Sequence, residues 1–224
     1  MNVLIACEES QTVCIEFRNR GHQAFSCDLL PCSGGHPEWH IMGNVLPLLN
    51  PITKFDWNEV IEFNTMDGVE HQIDGNWDLI IAHPPCTYLT VTGNKWFNPK
   101  YNKNVEERIN ARQKAIDFFM CFVNAPCDKI AIENPVGIMS TVYRKPDQII
   151  QPYQFGDPHR KATCLWLKGL PKLEPTKIVT PEIMTFKSGA TMDAAYSNTP
   201  HKDRARERSK TYPGIAKAIA EQWG

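Results

Sequence analysis

The stretch WDLIIAHPPC (residues 77–86) decides how the rest of the chain is read. Its first six residues form an apolar run broken only by Asp78, the pattern of a strand buried on both faces. Its last four set Cys86 directly behind Pro84 and Pro85, whose rings each fix φ. A strand buried on both faces belongs to a largely parallel sheet covered by helices. In such sheets ligands gather outside the carboxyl ends of the strands. Residues 83–86 form one such end, so the question passes to what stands at the others.

Further runs read as strands or their connections. NVLIA (2–6) is a short buried strand, QTVCIEFRNR (11–20) a helix stopped by Gly21, and QAFSC (23–27) a second strand. Strand, helix and strand in so short a span imply a parallel β-α-β unit with a right-handed crossover. Residues 31–76 are rich in Pro and Gly. Within them FDWNEVIEF reads either as a short helix or as two strands of a small excursion. Residues 104–124 are the best helix, with Ile109, Ile116, Phe119, Met120 and Val123 on or near one face. KIAI (129–132) and CLWL (164–167) are further strands, and YPGIAKAIAEQW (212–223) is a helix behind Pro213. The fold class expected is α/β: an open, mostly parallel sheet with helices on both faces. One domain spans 1–224, with 169–210 as a small irregular insertion.

The strand ends are polar or reactive. Cys7, Glu8, Glu9 and Ser10 follow the first strand, Asp28 the second, His83 to Cys86 the 77–82 strand, and Glu133, Asn134 and Pro135 the next. Asp28 lies about 20 residues beyond the first loop, the spacing of an acidic side chain that grips ribose hydroxyls. The first loop, CEESQ, has no glycine and two glutamates that repel a pyrophosphate. A nucleoside cofactor without phosphates and with a cationic sulfonium, S-adenosylmethionine, fits this loop better than a dinucleotide. Glu8 and Glu9 have a second reading, as acids at a helix N-terminus.

HPPC (83–86), followed by ENP (133–135), resembles the Pro-Cys and Glu-Asn signatures of the cytosine-C5 methyltransferases. VLIACEESQTVCIEF resembles that family's first cofactor loop without its glycines. CDLLP puts Asp28 near its ribose-binding acid, and GNVL (43–46) resembles its adenine-holding segment with Asn44 in place of Asp. KATCLWLKGLP (161–171) echoes the strand that usually carries two arginines, with Lys161 and Thr163 near those positions. The resemblance implies a Rossmann-like fold, S-adenosylmethionine as cofactor and DNA with a flipped cytosine as substrate. It implies Cys86 as the nucleophile at C6 and Glu133 as the partner of the ring N3 and exocyclic amine. Cys7, Glu8, Ser10, Asp28, Asn44, His83 and Pro84 then line the cofactor, and Pro85, Asn134, Lys161 and Thr163 the base. Asn134 is read as a brace for the loop, and 169–210 as a target-recognition insertion. Free cytosine nucleotides are an alternative substrate. An inactive binding relic of the fold is an alternative to an enzyme, and a hydrolase pairing Cys86 with His83 ranks last.

Bulk properties limit the rest. The net charge of −1 gives the whole molecule no strong field, so any contact with nucleic acid rests on a local patch. No apolar run reaches the ~20 residues of a membrane span. The start MNVLIACEES does not read as a signal peptide, so a cytoplasmic location with reduced cysteines is expected. Cys27, Cys32, His36 and His40 have short spacings that raise a structural zinc site, although Cys27 falls inside a strand. HKDRARERSK (201–210) is a basic stretch that either meets phosphates or is a solvated face. Trp96, Phe97 and Tyr101, among Asn and Lys, either stack on a base or pack over the domain edge.

Overall fold

The computed structural model describes residues 1–54, 57–185, 188–189, 191–193 and 209–224. Its main sheet has seven strands: β1 (Asn2–Ala6), β2 (Gln23–Asp28), β3 (His40–Met42), β7 (Leu79–Ala82), β8 (Ile130–Pro135), β9 (Gln148–Ile150) and β10 (Thr163–Lys168). Their order is β3-β2-β1-β7-β8-β10-β9. Pairings from β3 through β8 are parallel, and β10 runs antiparallel between β8 and β9. This is the open, mostly parallel α/β sheet with helices on both faces that the sequence predicts. The edge strand β9 has no counterpart among the strands expected from the sequence.

The period of two along β1 divides the core. Val3 and Ile5 face one side, with Leu79, Ile81, Ala131 and Leu165. Helices α1 (Thr12–Arg18) and α4 (Pro213–Trp223) cover that side through Val13, Phe17, Ile215, Ile219 and Trp223. Leu4 and Ala6 face the other side, with Ile80, Ile132 and Trp166, under Phe119 and Phe122 of α2 (Val105–Val123). Each of these large side chains, once fully buried, contributes about 1.5–3 kcal/mol. Ile109, expected on the buried face of α2, is 53% exposed, because only the C-terminal half of the helix lies over the sheet.

The 31–76 region resolves its ambiguity in favour of strands. β4 (Ile52–Thr53), β5 (Glu59–Asn64) and β6 (Glu70–Asp74) form an antiparallel meander. Ile61, Phe63 and Ile73 on one face join the core against Phe25 and Trp77, which satisfies the alternation of β5 without a helix. Within 169–210, β11 (Ile183–Thr185) pairs with β12 (Thr191–Asp193), and the short helix α3 (Met139–Val142) follows β8. Residues 194–208, which hold most of the basic stretch, lie outside the described residues. Among the described residues, no helix is long and apolar enough to cross a membrane.

Candidate active site

Register gathers the polar strand ends. Cys27, Ala6, Ala82 and Ile132 lie side by side on β2, β1, β7 and β8. One residue further on, the row reads Asp28, Cys7, His83 and Glu133. Strands about 4.8 Å apart thus carry four of the candidate residues along one rim. His83 remains tied to β1 by its N–H donating to the Ala6 carbonyl at 2.9 Å.

The first loop takes two left-handed residues to make its turn. Cys7 has φ 61° and Gln11 φ 60°, values that cost a side-chain-bearing residue about 1–2 kcal/mol each. Gln11 is wholly buried and holds the facing loop. Its Nε2 donates to the His36 carbonyl at 2.8 Å, and its Oε1 accepts from His36 N at 3.1 Å. Gly34 approaches so closely that a Cβ there would stand 2.6 Å from Gln11 Cβ. Of the two readings for Glu8, the structure shows the helix role. Its buried carboxylate accepts from Val13 N at 2.7 Å and Cys14 N at 3.3 Å. Thr12 Oγ1 donates to Ser10 Oγ at 3.0 Å.

Asp28 and Asn44 each fold their side chains onto a local turn. Leu30 N donates to Asp28 Oδ1 at 2.9 Å, and Leu46 N to Asn44 Oδ1 at 3.1 Å. Around Asp28 the surface is apolar: Leu29, Leu30 and Met42 are exposed.

Two loops carry the Pro-Cys and Glu-Asn segments, and they are laced together. Asn134 Nδ2 donates to the Pro84 carbonyl at 2.8 Å. Ile138 N donates to the Leu89 carbonyl at 2.8 Å, and Val91 N to the Val136 carbonyl at 3.3 Å. Pro84 is buried, Pro85 exposed and Cys86 half-buried at the head of a turn whose Leu89 N donates to its carbonyl at 2.9 Å. Burial raises the thiol pKa of Cys7, Cys14, Cys27, Cys127 and Cys164, which keeps those sulfurs protonated and inert. Asn134 Oδ1 is itself buried without a partner, so Asn134→Ala removes one good bond and one orphan together. The expected cost is therefore at the low end of the 1–3 kcal/mol range, about 1 kcal/mol, read from the urea midpoint.

Glu133 is the electrostatic centre. Its Oε2 lies 3.2 Å from His83 Nδ1, and the Thr211 hydroxyl, just before α4, donates to the same carboxylate. Burial alone would raise the Glu133 carboxyl. The His83 bond and charge, then Lys161 and Thr211, hold it below the usual carboxylate range. Burial would lower the His83 imidazole, but the Glu133 bond and charge and the more remote Glu8 carry it above its ordinary value, against Lys161. Glu8 goes the other way: burial, with Glu133 adding to it, lifts its carboxyl despite His83 and two backbone N–H groups. Lys161 Nζ donates to the Lys210 carbonyl at 3.3 Å, and buried Thr163 turns its hydroxyl to the Lys161 carbonyl at 3.2 Å. Thr211 is not among the candidate residues read from the sequence; α4 brings it in from the far end of the chain.

The zinc constellation does not assemble. His40 is buried, with Nδ1 2.8 Å from Ser26 Oγ and Nε2 donating to the Leu30 carbonyl at 2.9 Å. His36 stacks on Trp39 at 3.8 Å and meets Glu38 Oε1 at 2.9 Å. Among the described residues, no three His, Cys, Asp or Glu side chains gather as metal ligands.

Beyond Cys86 the chain forms a 3₁₀ segment, Val91–Phe97. The aromatics of this region divide by exposure. Phe97 packs beneath Arg112 and Arg108, whose guanidinium carbons lie 3.5 and 4.9 Å from the ring centroid. Trp96 and Tyr101 are exposed, with Lys95 and Lys100 over their rings at 4.8 and 5.7 Å. Arg112 also ties α2 to the Cys86 turn, its Nε donating to the Tyr88 carbonyl at 2.9 Å.

No family model matches the chain, and no curated protein matches it. A solved structure described as a DNA modification methyltransferase encoded within an E. coli prophage aligns at 15% identity and a TM-score of 0.47. The alignment covers 80% of this chain and 52% of that one, so the chain spans about half the length of that protein.

Proposed function

We propose that this protein transfers a methyl group from S-adenosylmethionine to C5 of cytosine in DNA, through a covalent bond between Cys86 and C6. The observation that carries the reading is the laced pair of loops. They hold a half-buried thiol and a carboxylate paired with His83 on neighbouring strand ends of one rim. Cys86 is not sealed as Cys14 and Cys164 are, each 0% exposed.

The residues fit the cofactor. Asp28 would take the ribose hydroxyls, exposed Leu29, Leu30 and Met42 would cover the adenine, and Asn44 and the Cys7 to Ser10 loop would flank it. When bound, S-adenosylmethionine supplies an electrophilic methyl group. The chain does the rest. Cys86 attacks C6, with the Pro-Pro corner fixing the angle of approach. Glu133 holds N3 and the exocyclic amine and steadies the charge that attack puts on the ring. Asn134 keeps the two loops in register, and Lys161 adds positive charge beside Glu133.

DNA as partner is supported by how charge is segregated. Residues 91–114 carry Lys95, Lys100, Lys103, Arg108, Arg112 and Lys114 against Glu106 and Glu107. The meander region 51–76 carries Lys54 against Asp56, Glu59, Glu62, Asp67, Glu70 and Asp74. A polyanion is drawn to the side of Cys86 and repelled from the meander, although the net charge is −1. The test is transfer of labelled methyl from S-adenosylmethionine to cytosine-containing duplexes. Label in 5-methylcytosine is expected; label in a free nucleotide alone moves the substrate from DNA to nucleotide. No label in any cytosine, together with no uptake of S-adenosylmethionine by calorimetry, favours the binding relic.

A further inference from the structure

His83 occupies a place that cofactor contact alone does not explain. Its ring stands one residue past the register line of β1, β7 and β8, with Nδ1 3.2 Å from Glu133 Oε2. Both side chains are almost nine-tenths buried, at 11% and 12% exposure. The other ring nitrogen, Nε2, is buried with no hydrogen-bond partner. The charged groups that face the ring come from three elements: Glu8 from the first loop, Glu133 from β8 and Lys161 from the segment before β10. Two carboxylates thus stand against one ammonium around a single imidazole.

We propose that His83 is a positioning residue that shares one proton with Glu133 and passes it, through that carboxyl, to N3 of the bound cytosine. The proposal rests on the cytosine-C5 reading above and adds the source of the proton. The step balances. As the Cys86 thiolate bonds to C6, the electron pair moves onto the ring. The imidazolium gives its Nδ1 proton to Glu133, and the carboxylic acid gives it to N3, leaving neutral imidazole, carboxylate and a neutral adduct. After C5 has taken the methyl group, its proton leaves to water, the thiolate is expelled from C6, and N3 returns its proton by the same path. A carboxylate held ionised by its partner cannot protonate the ring from its own store. It needs a neighbour that carries the proton, and the imidazolium is the group within hydrogen-bond reach.

The sign of the pH dependence follows. His83 is held above the ordinary imidazole value of 6.5 and Glu133 below 4.5, so near neutral pH the pair holds one proton, on the imidazole side. The working form is present above the Glu133 value and is lost as pH rises through that of His83. The stability of the pair follows the same window. The His83 contribution is full below its unfolded value near 6.5 and lost as pH rises through its folded value. The Glu133 contribution is present above its unfolded value near 4.5 and lost as pH falls through its folded value.

His83→Gln tests the role, because an amide can still donate to Glu133 but cannot carry the proton. Its kcat is expected to fall by about 10²-fold or more, with KM for the duplex little changed and the wild-type alkaline decline missing. Independently of turnover, an NMR titration of the backbone-assigned His83 ring should show it charging above 6.5 in the wild type and at a lower pH in Glu133→Gln, where Glu8 alone is left to oppose burial. A protein that captures 5-fluorocytosine while His83 titrates at or below its ordinary value overturns this proposal alone. So does an unchanged pH profile in His83→Gln. A raised His83 in a protein that captures no cytosine overturns the cytosine reading, and the delivery step with it.

Discussion

Cys86→Ser yields a folded protein that captures no 5-fluorocytosine duplex and transfers methyl groups at least about 10⁴-fold more slowly than the wild type. The size of the effect comes from chemistry rather than structure. Serine keeps the volume and the turn, and Cys86 is only half-buried, so the stability change should stay within about 0.5 kcal/mol. An alkoxide is far less accessible near neutral pH than a thiolate, and a thiol is already a few per cent ionised there. Glu133→Gln should cost about 10²–10⁴-fold, since it removes the acid partner of the ring but leaves the nucleophile. The double variant should be no slower than Cys86→Ser alone, because both residues act on one step. Methyl transfer by Cys86→Ser at near the wild-type rate would sink the covalent route and leave an enzyme of another chemistry on the same sheet.

The sheet was legible because its strands are short, apolar and buried on both faces. NVLIA, LIIA and IAI admit few other readings at that length. The rim was legible for the same reason: once the strands are placed, the residue after each is fixed. Other features depend on groups distant in sequence. Nothing in CEESQ announces that Cys7 and Gln11 turn left-handed without glycine, or that Gly34 of the facing loop supplies the close approach instead. The His83 ring read as a cofactor contact because the sequence does not reveal the 3.2 Å distance to Glu133, which arises only when β7 and β8 pair. Thr211 reaches that carboxylate from the other end of the chain. His36 and His40 suggested a metal by spacing alone, but each ring is already matched, to Trp39 and Glu38 or to Ser26 and Leu30. The meander was ambiguous because β5 puts Val60 and Ile61 side by side, and both are buried, which blurs a period of two.

Gly137→Ala is expected to destabilise the protein by about 2–4 kcal/mol and to slow capture at Cys86 by about 10²-fold or more in the molecules that remain folded. The cause is a backbone contact. A Cβ at position 137 would stand 2.1 Å from the Leu89 carbonyl oxygen and 3.2 Å from Thr90 Cα, so no side-chain rotation relieves it. The two loops must separate where Thr90 and Gly137 bridge, which breaks or stretches the Ile138 to Leu89 and Val91 to Val136 bonds. Each lost backbone bond costs about 0.5–1.5 kcal/mol, or more if its groups stay buried. Cys86 begins the turn that ends at Leu89 and Thr90, so a shift of the turn moves the sulfur relative to Glu133 on β8. A misplacement of about 1 Å is enough for the kinetic loss. Gly43→Ala is the control: its Cβ would meet nothing within 4 Å, and its stability should change by no more than about 0.5 kcal/mol. Denaturant midpoints give the first quantity, and single-turnover capture on 5-fluorocytosine, at a temperature where both variants are folded, gives the second. A Gly137→Ala protein as stable and as quick as the wild type would mean that the loops are not held at this contact. The coupling of the Pro-Cys and Glu-Asn segments would then have to come from Asn134 and Pro84 alone.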